Sequence, residues 1–442
     1  MKKEWIALWA VIAIVVLTGG GVLIWWLARS PETSKGYGDI KQHAAFVPIR
    51  DVGEMFYWYY PTTETSYPRP LIVWLHGVTD VPPSLAANIG AFGPYDRHLN
   101  RRNDSWVEDY NLLFIDAPLG TGFSRLVNRG PHRPTSSQSN AEHLALTLKA
   151  FFEDHEELSE VPVYVIGQGH GGQLAAALAV RLQQDDTAHI AKNLKGIGLG
   201  NPVIDPRLTL TKMSFYLKQL AYINHGFTFT DFFPIWLEEA LEAVQPGAGF
   251  DFYAQIGELV NEDGATDINL RNVIDKATRV SPETSTGLSG NQKQLRVLAQ
   301  PDEELVAFMN EEVAAALGVS GNYDEGRQEV VDNFKNSYLN SAVPLVEEIL
   351  QNTKLTVTIY NGNLDAISST PGQLEWVNSL KWDGQEEFLN SRRNQVYVND
   401  ILEGSVRETD RLKFYWVNAA GQSVPVDSPV AMRRILQSIA GY

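Results

Sequence analysis

The stretch VPVYVIGQGHGGQLAAALA, residues 161 to 179, carries an apolar run into a glycine-rich corner and out into a helical run. Two chemistries fit it. Read literally, Gly167, Gly169 and Gly172 give G-x-G-x-x-G after a strand, the pattern whose backbone cradles a dinucleotide pyrophosphate. With one substitution undone it is G-x-S-x-G, a nucleophile elbow, and Gly169 stands where the serine would be. The dinucleotide reading also needs an acidic side chain about twenty residues on, at the end of the next strand, to hold a ribose hydroxyl. That strand ends in Gly200-Asn201, and Asp185 and Asp186 fall in the turn before it. No cofactor is therefore expected.

The elements around this corner can be read from hydrophobic period. MFYWYY (55–60), LIVWL (71–75) and NLLFID (111–116) are short apolar runs of the kind that form buried strands. Leu144, Leu148, Phe151 and Phe152 share one face of a helix. LKGIGLGN (194–201), LTVTIY (355–360) and LKFYWV (412–417) read as further strands, and a helix closes the chain near 430–439. Between about 205 and 335 the pattern is helical, as in FFPIWLEEALEAV and DEELVAFMNEEVAAALGV. Alternating strands and helices predict an α/β layer fold with a mainly parallel mixed sheet, the helical block being an inserted cap.

Composition narrows the function classes. With 53 acidic against 36 basic side chains the net charge is −17, and no basic stripe is present, so nucleic acid is not an expected partner. The absence of cysteine excludes thiolate nucleophiles, zinc–thiolate sites and disulfides. The nine histidines show no metal-ligand spacing. Residues 6–28 are uncharged and long enough to span a bilayer, which predicts a signal anchor with residues 1–5 as a cytoplasmic tail. Cleavage near Gly20 is the alternative, leaving a secreted or lysosomal protein. The polar stretch after the anchor reads as a stalk, 29–44, followed by core at 45–204, cap at 205–335 and core again at 336–442. Asn103, in N-D-S, is a glycosylation sequon that suits a lumenal or extracellular loop.

Several segments in order resemble the serine carboxypeptidases, and most closely their retinoid-inducible subgroup. They are MFYWYYPTT…RPLIVWLHG, GPYD (93–96), NLLFIDAPLGTGFS (111–124), the elbow stretch, GLGNPVIDP (198–206), VTIYNGNLDAISSTPGQLEWVNSLKW (357–382) and FYWVNAAGQSVPVDSP (414–429). The resemblance implies an α/β-hydrolase fold and decides the corner in favour of the elbow. It also implies a Ser, Asp, His triad, of which only Asp365 is present. Gly169 takes the serine position and Gln422, in AGQSVP, the histidine position. A neutral amide cannot shuttle a proton, so Asp365 is left with no base to orient. The family's oxyanion loop, W-L-x-G-G-P-G, here reads WLHGVTD. Gly77 is kept, while Val78, Thr79 and Asp80 replace Gly, Pro and Gly. The two acidic positions that hold a substrate's terminal carboxylate are Gln168 and Ala91, and the loop's asparagine or glutamine is His76.

His76, His170 and Asp365 are expected near one another, though paired histidines at a turn more often line a pocket than hold a metal. The expectation is thus a membrane-anchored relative without peptidase activity, binding a peptide or protein partner. Residual serine-type carboxypeptidase action and a surface adhesion or scaffold role are the alternatives. The first would need a nucleophile other than residue 169.

Overall fold

The computed structural model describes residues 36–127, 133–184, 187–220, 269–274 and 303–441. Eleven strands make one sheet: β1 (His43–Ile49), β2 (Gly53–Tyr60), β3 (Leu71–Leu75), β4 (Asn111–Ile115), β5 (Arg125–Leu126), β6 (Val163–Gln168), β7 (Leu194–Gly200), β8 (Thr356–Gly362), β9 (Asn394–Val398), β10 (Ile401–Glu408) and β11 (Leu412–Val417). Their order is β1-β2-β4-β3-β6-β7-β8-β11-β10-β9, with β5 added on β2. The six strands from β4 to β11 run parallel and both edges are antiparallel. β3 and β4 are buried along their whole length, as a parallel strand covered on both faces must be.

Period-two alternation sorts the two cores. Met55, Tyr57 and Tyr59 face one side of the sheet, and Phe56, Trp58 and Tyr60 face the other. The first side is covered by α1 (Ser137–Asp154), α2 (Gly171–Leu182), α5 (Val343–Asn352) and α6 (Thr370–Asn378) through Leu144, Leu174, Ile349 and Trp376. The second is covered by a π-helical segment, Ser84–Phe92, by helix at 303–317 and by α7 (Pro429–Ala440). α1 opens with a capping box, the Ser136 hydroxyl accepting from the Ser139 N–H while Ser139 reaches back. α3 (Pro206–Gln219) and α4 (Arg327–Phe334) belong to the stretch read as cap.

Folded packing begins before residue 45. Tyr37 is buried, and the Gln42 side-chain oxygen accepts from Tyr37 N–H and from Trp58 Nε1, so residues 36–42 lie against the sheet and His43 and Ala44 already belong to β1, within the segment read as stalk. The anchor at 6–28, the tail at 1–5 and the FFPIWLEEALEAV segment lie outside the described residues. Among the described residues no helix is long and apolar enough to cross a membrane.

Candidate functional site

Four loops leave the C-terminal ends of parallel strands on one rim of the sheet, where ligands of open α/β sheets bind. β3 delivers His76 to Asp80, β6 delivers Gly169 and His170, β8 delivers Asp365, and β11 delivers Gln422.

Between β6 and α2 the chain turns at Gly169, with φ of +59°. This is the left-handed conformation of a sharp strand–turn–helix corner, and glycine adopts it without the steric cost a side chain would add. Its N–H donates to Gly200 O at 3.0 Å and its carbonyl accepts from Val203 N at 2.9 Å, which fixes the corner to the strand beside it.

The space a side chain at residue 169 would enter is taken. A Cβ there would lie 2.7 and 2.8 Å from the two carboxylate oxygens of Asp80. Asp80 is buried, and its Oδ2 accepts the His170 backbone N–H at 3.2 Å. The amide of the residue after the nucleophile is one donor of an oxyanion hole in this kind of turn. Here an internal carboxylate holds that donor.

Two arginines fasten the loop that carries Asp80. Arg327, on α4, donates to Val78 O at 3.0 Å and to Asp80 O at 2.9 Å, and its Nε pairs with Asp324. Arg271 comes from the segment 269–274. It faces Asp80 Oδ1 at 3.4 Å and donates to Thr79 O at 3.3 Å. That segment is itself laced between the β8 and β11 loops. Ala366 N–H donates to Leu270 O at 2.9 Å, Val273 N–H to Leu364 O at 2.9 Å, and Gln422 N–H to Arg271 O at 2.7 Å.

Gly77 is needed for a different reason. A Cβ there would lie 2.4 Å from His170 Nδ1, so the loop crosses against the imidazole itself. The His170 ring stacks on Tyr338, with centroids 5.3 Å apart, and burial pushes its pKa down to about 4 against the pull of Asp80. His170 thus joins the site through its backbone, and its ring belongs to the packing beneath. Val78 is likewise buried, contributing its carbonyl to Arg327.

Asp365 is fully buried. Its Oδ2 accepts from Asn201 Nδ2 at 2.9 Å and its Oδ1 from Ile367 N–H at 2.8 Å, while desolvation pushes its pKa up to about 7. A cavity of about 240 Å³ opens beside the turn, lined by His76, Asp80, Ala91, Gln168, Arg271 and Gln422. Trp74 and Phe92 supply an aromatic wall. The cavity therefore gathers four of the sequence-derived positions, His76, Ala91, Gln168 and Gln422, whereas Asp365, Gly77, Val78 and His170 do not line it. Among the described residues no group of three or more His, Asp or Glu side chains is arranged to hold a metal ion. Sequence reasoning placed Asp80 near the hole but did not single out Arg271 or Arg327, which lie in the cap region and carry no motif.

A left-handed corner between a parallel strand and a helix, an amide aimed at an anion and strand ends gathered on one rim define an α/β-hydrolase fold. A serine carboxypeptidase family profile matches residues 31–441. The chain belongs to the serine carboxypeptidase family. Human retinoid-inducible serine carboxypeptidase is 28% identical over 430 residues, covering 93% of this chain and 92% of that protein. Serine carboxypeptidase-like 51 of Arabidopsis thaliana is 24% identical over 419 residues, covering 88% and 90%. The crystal structure of a prohormone-processing carboxypeptidase from Saccharomyces cerevisiae superposes with a TM-score of 0.72 at 19% identity, covering 93% of each chain, and shares the fold.

Proposed function

We propose that this family member binds a peptide end or a similar small ligand in the cleft without cleaving it. The observation that carries the reading is the Asp80 carboxylate, which fills the space of a side chain at residue 169 and takes the His170 amide. Acyl transfer needs a nucleophile, a base and donors free to receive a developing oxyanion. Residue 169 has no side chain, residue 422 is a carboxamide, and the amide is engaged. Among its described lining residues the cavity holds one hydroxyl, Ser423, but the unpartnered Nε2 of His76 makes no bond to it, so the two do not form a nucleophile–base pair.

The family supports a lumenal or secreted location for the folded domain, and the uncharged stretch 6–28 supports its attachment to a membrane. Asn103 is exposed, in keeping with a glycan there.

The test uses the purified full chain in detergent, on blocked dipeptides and small esters between pH 4.5 and 7.5, with a serine-reactive fluorophosphonate label. The expected result is no turnover and no labelling, with retention of peptides on the immobilised protein. A Gly169→Ser/Asp80→Gly/Gln422→His variant is the comparator. Turnover that follows the protein through repurification and disappears in Ser423→Ala would overturn the reading, and would favour a hydrolase using a different serine.

A further inference from the structure

The two edges of the sheet are finished differently. At one, β1 carries Pro48 and packs against α1, and both features discourage a further strand. At the other, β9 (NQVYV) has neither proline nor lysine, and its Asn394, Gln395 and Tyr397 are exposed. Among the described residues no strand pairs with its outer side. The bulge that would twist an edge away falls on β10 instead, between Leu402 and Gly404. Exposed apolar side chains collect at this hairpin: Tyr397 is 55% exposed, Ile401 62% and Leu402 41%, and Leu402 stands directly opposite Tyr397.

The turn of the hairpin fixes which backbone groups face outward. Asn399 and Asp400 have φ of +51° and +63°, as the two central residues of a type I′ turn must, so Val398 and Ile401 form the hydrogen-bonded pair that closes it. Bonded and non-bonded pairs alternate from there. Val396 therefore turns its N–H and C=O toward β10, and Gln395 and Tyr397 turn theirs outward. An antiparallel strand of the same sequence satisfies both when Val396 of one lies opposite Val396 of the other, because Gln395 then meets Tyr397 in each direction.

That register also sorts the charges. Between Leu389 and Leu402 the charged side chains are Arg392, Arg393 and Asp400. Arg393 is engaged within its own sheet, over the Trp416 ring and on Ser405 Oγ. Arg392 and Asp400 are exposed, and among the described residues neither is held in an ion pair. A two-fold axis at Val396 sets Arg392 of each copy opposite Asp400 of the other. A net charge of −17 drives copies of the chain apart, and this strip, with two cations to one anion, relieves that repulsion.

We propose that β9 is the docking edge for a second copy of this chain, the two strands pairing antiparallel about a two-fold axis at Val396 into one continuous sheet. The contact is independent of the cleft and of what binds there. The Tyr397 rings of the two copies lie on one face as diagonal neighbours, within reach of each other. An isologous contact of this kind closes at two copies. One pair of short strands is small beside the roughly 1,200–2,000 Å² of a stable interface, so the dimer is expected at roughly 100 µM and should dissociate near 1 µM.

The chain has no cysteine, so single cysteines report the register. Across the axis the two residues at 396 form a non-hydrogen-bonded pair with Cα atoms about 4.5 Å apart, within disulfide range. The two residues at 397 are diagonal, roughly 7–8 Å apart, and beyond it. Under mild oxidation in excess detergent, the full chain carrying Val396→Cys is expected to give a covalent dimer, and Tyr397→Cys little. In the Val396→Cys background, Arg392→Glu should lower the yield roughly fivefold. Gln395→Pro, which removes an outward N–H without touching the β10 ladder, should abolish it. Unfolding temperatures establish that each variant is folded. Equal yields at 396 and 397, or a yield that Arg392→Glu and Gln395→Pro both leave unchanged, would overturn the proposal. So would a Val396→Cys chain that stays monomeric; resistance of its Gln395 and Tyr397 amides to hydrogen exchange would then give the edge to another segment of the same chain.

Discussion

A methyl group at residue 169 should cost far more stability in the native chain than in one lacking the Asp80 carboxylate. The left-handed backbone at φ +59° penalises any residue with a Cβ by about 1–2 kcal/mol. The added carbon would also stand 2.7 to 3.0 Å from three atoms of the carboxylate, which is too close for either to remain. Asp80 must then withdraw from the His170 N–H and from Arg271. Bonds to a charged group of this kind contribute about 1.5–3 kcal/mol. Gly169→Ala is therefore expected to cost roughly 2.5–5 kcal/mol, and Asp80→Ala alone about 1.5–3 kcal/mol. In the double variant the bonds are lost only once, so the two effects should fall short of their sum by about 1.5–3 kcal/mol. Urea unfolding at pH 7.5, followed by tryptophan fluorescence and far-ultraviolet circular dichroism, measures all four species of the cycle. Additivity within about 0.5 kcal/mol would refute the reasoning, because it would mean the carboxylate and residue 169 do not compete for space.

The carboxyl of Asp365, raised to about 7, binds a proton in the folded state that the unfolded chain, with a carboxyl pKa near 4, has already released. Its contribution is complete below pH 4 and is lost as pH rises through 7, so stability falls by up to about 1.4 kcal/mol per pH unit across that window. Buried His170, held down to about 4, acts in the opposite sense: its contribution is present above pH 6.5 and is lost as pH falls toward 4. Asp365→Asn should therefore leave a stability–pH profile that rises more steeply between pH 4 and 6.5; an unchanged slope would mean that Asp365 is ionised in the fold. Removal of the Arg327 guanidinium in Arg327→Met leaves Asp324 and the carbonyls of Val78 and Asp80 without it, at a cost of about 3–5 kcal/mol in urea unfolding. A loss below 1 kcal/mol would show that the loop holds its path without the cap.

The interior of the sheet was legible because its strands are buried on both faces: LIVWL and NLLFI show no alternating polar period and are buried along their length. The edges were not. β9, NQVYV, is half polar and exposed, β10 carries a bulge between Leu402 and Gly404, and β5 is two residues long, so none shows the run that marks a strand. Positions 76, 91, 168 and 422 could be found by resemblance, since each sits at a fixed offset from a motif, and the fold brings them to one cavity. What holds Asp80 could not be found that way. Arg271 and Arg327 lie 191 and 247 residues from it, and their contacts depend on how the region read as cap folds back. His170 shows the limit at closer range. Its type and place suggest a catalytic ring, but Tyr338 claims the ring and only the amide reaches the Asp80 carboxylate.

The position of Asp80 also makes a serine at residue 169 hard to introduce. A codon change giving Gly169→Ser by itself would meet an occupied space and a folding penalty before it could return any catalysis, because Gln422 would still provide no base. Removing Asp80 first would strip the loop of its contacts while the corner remained a glycine. Both of these single steps thus pass through a less stable protein, and on the binding reading proposed above neither by itself supplies a nucleophile with a base beside it.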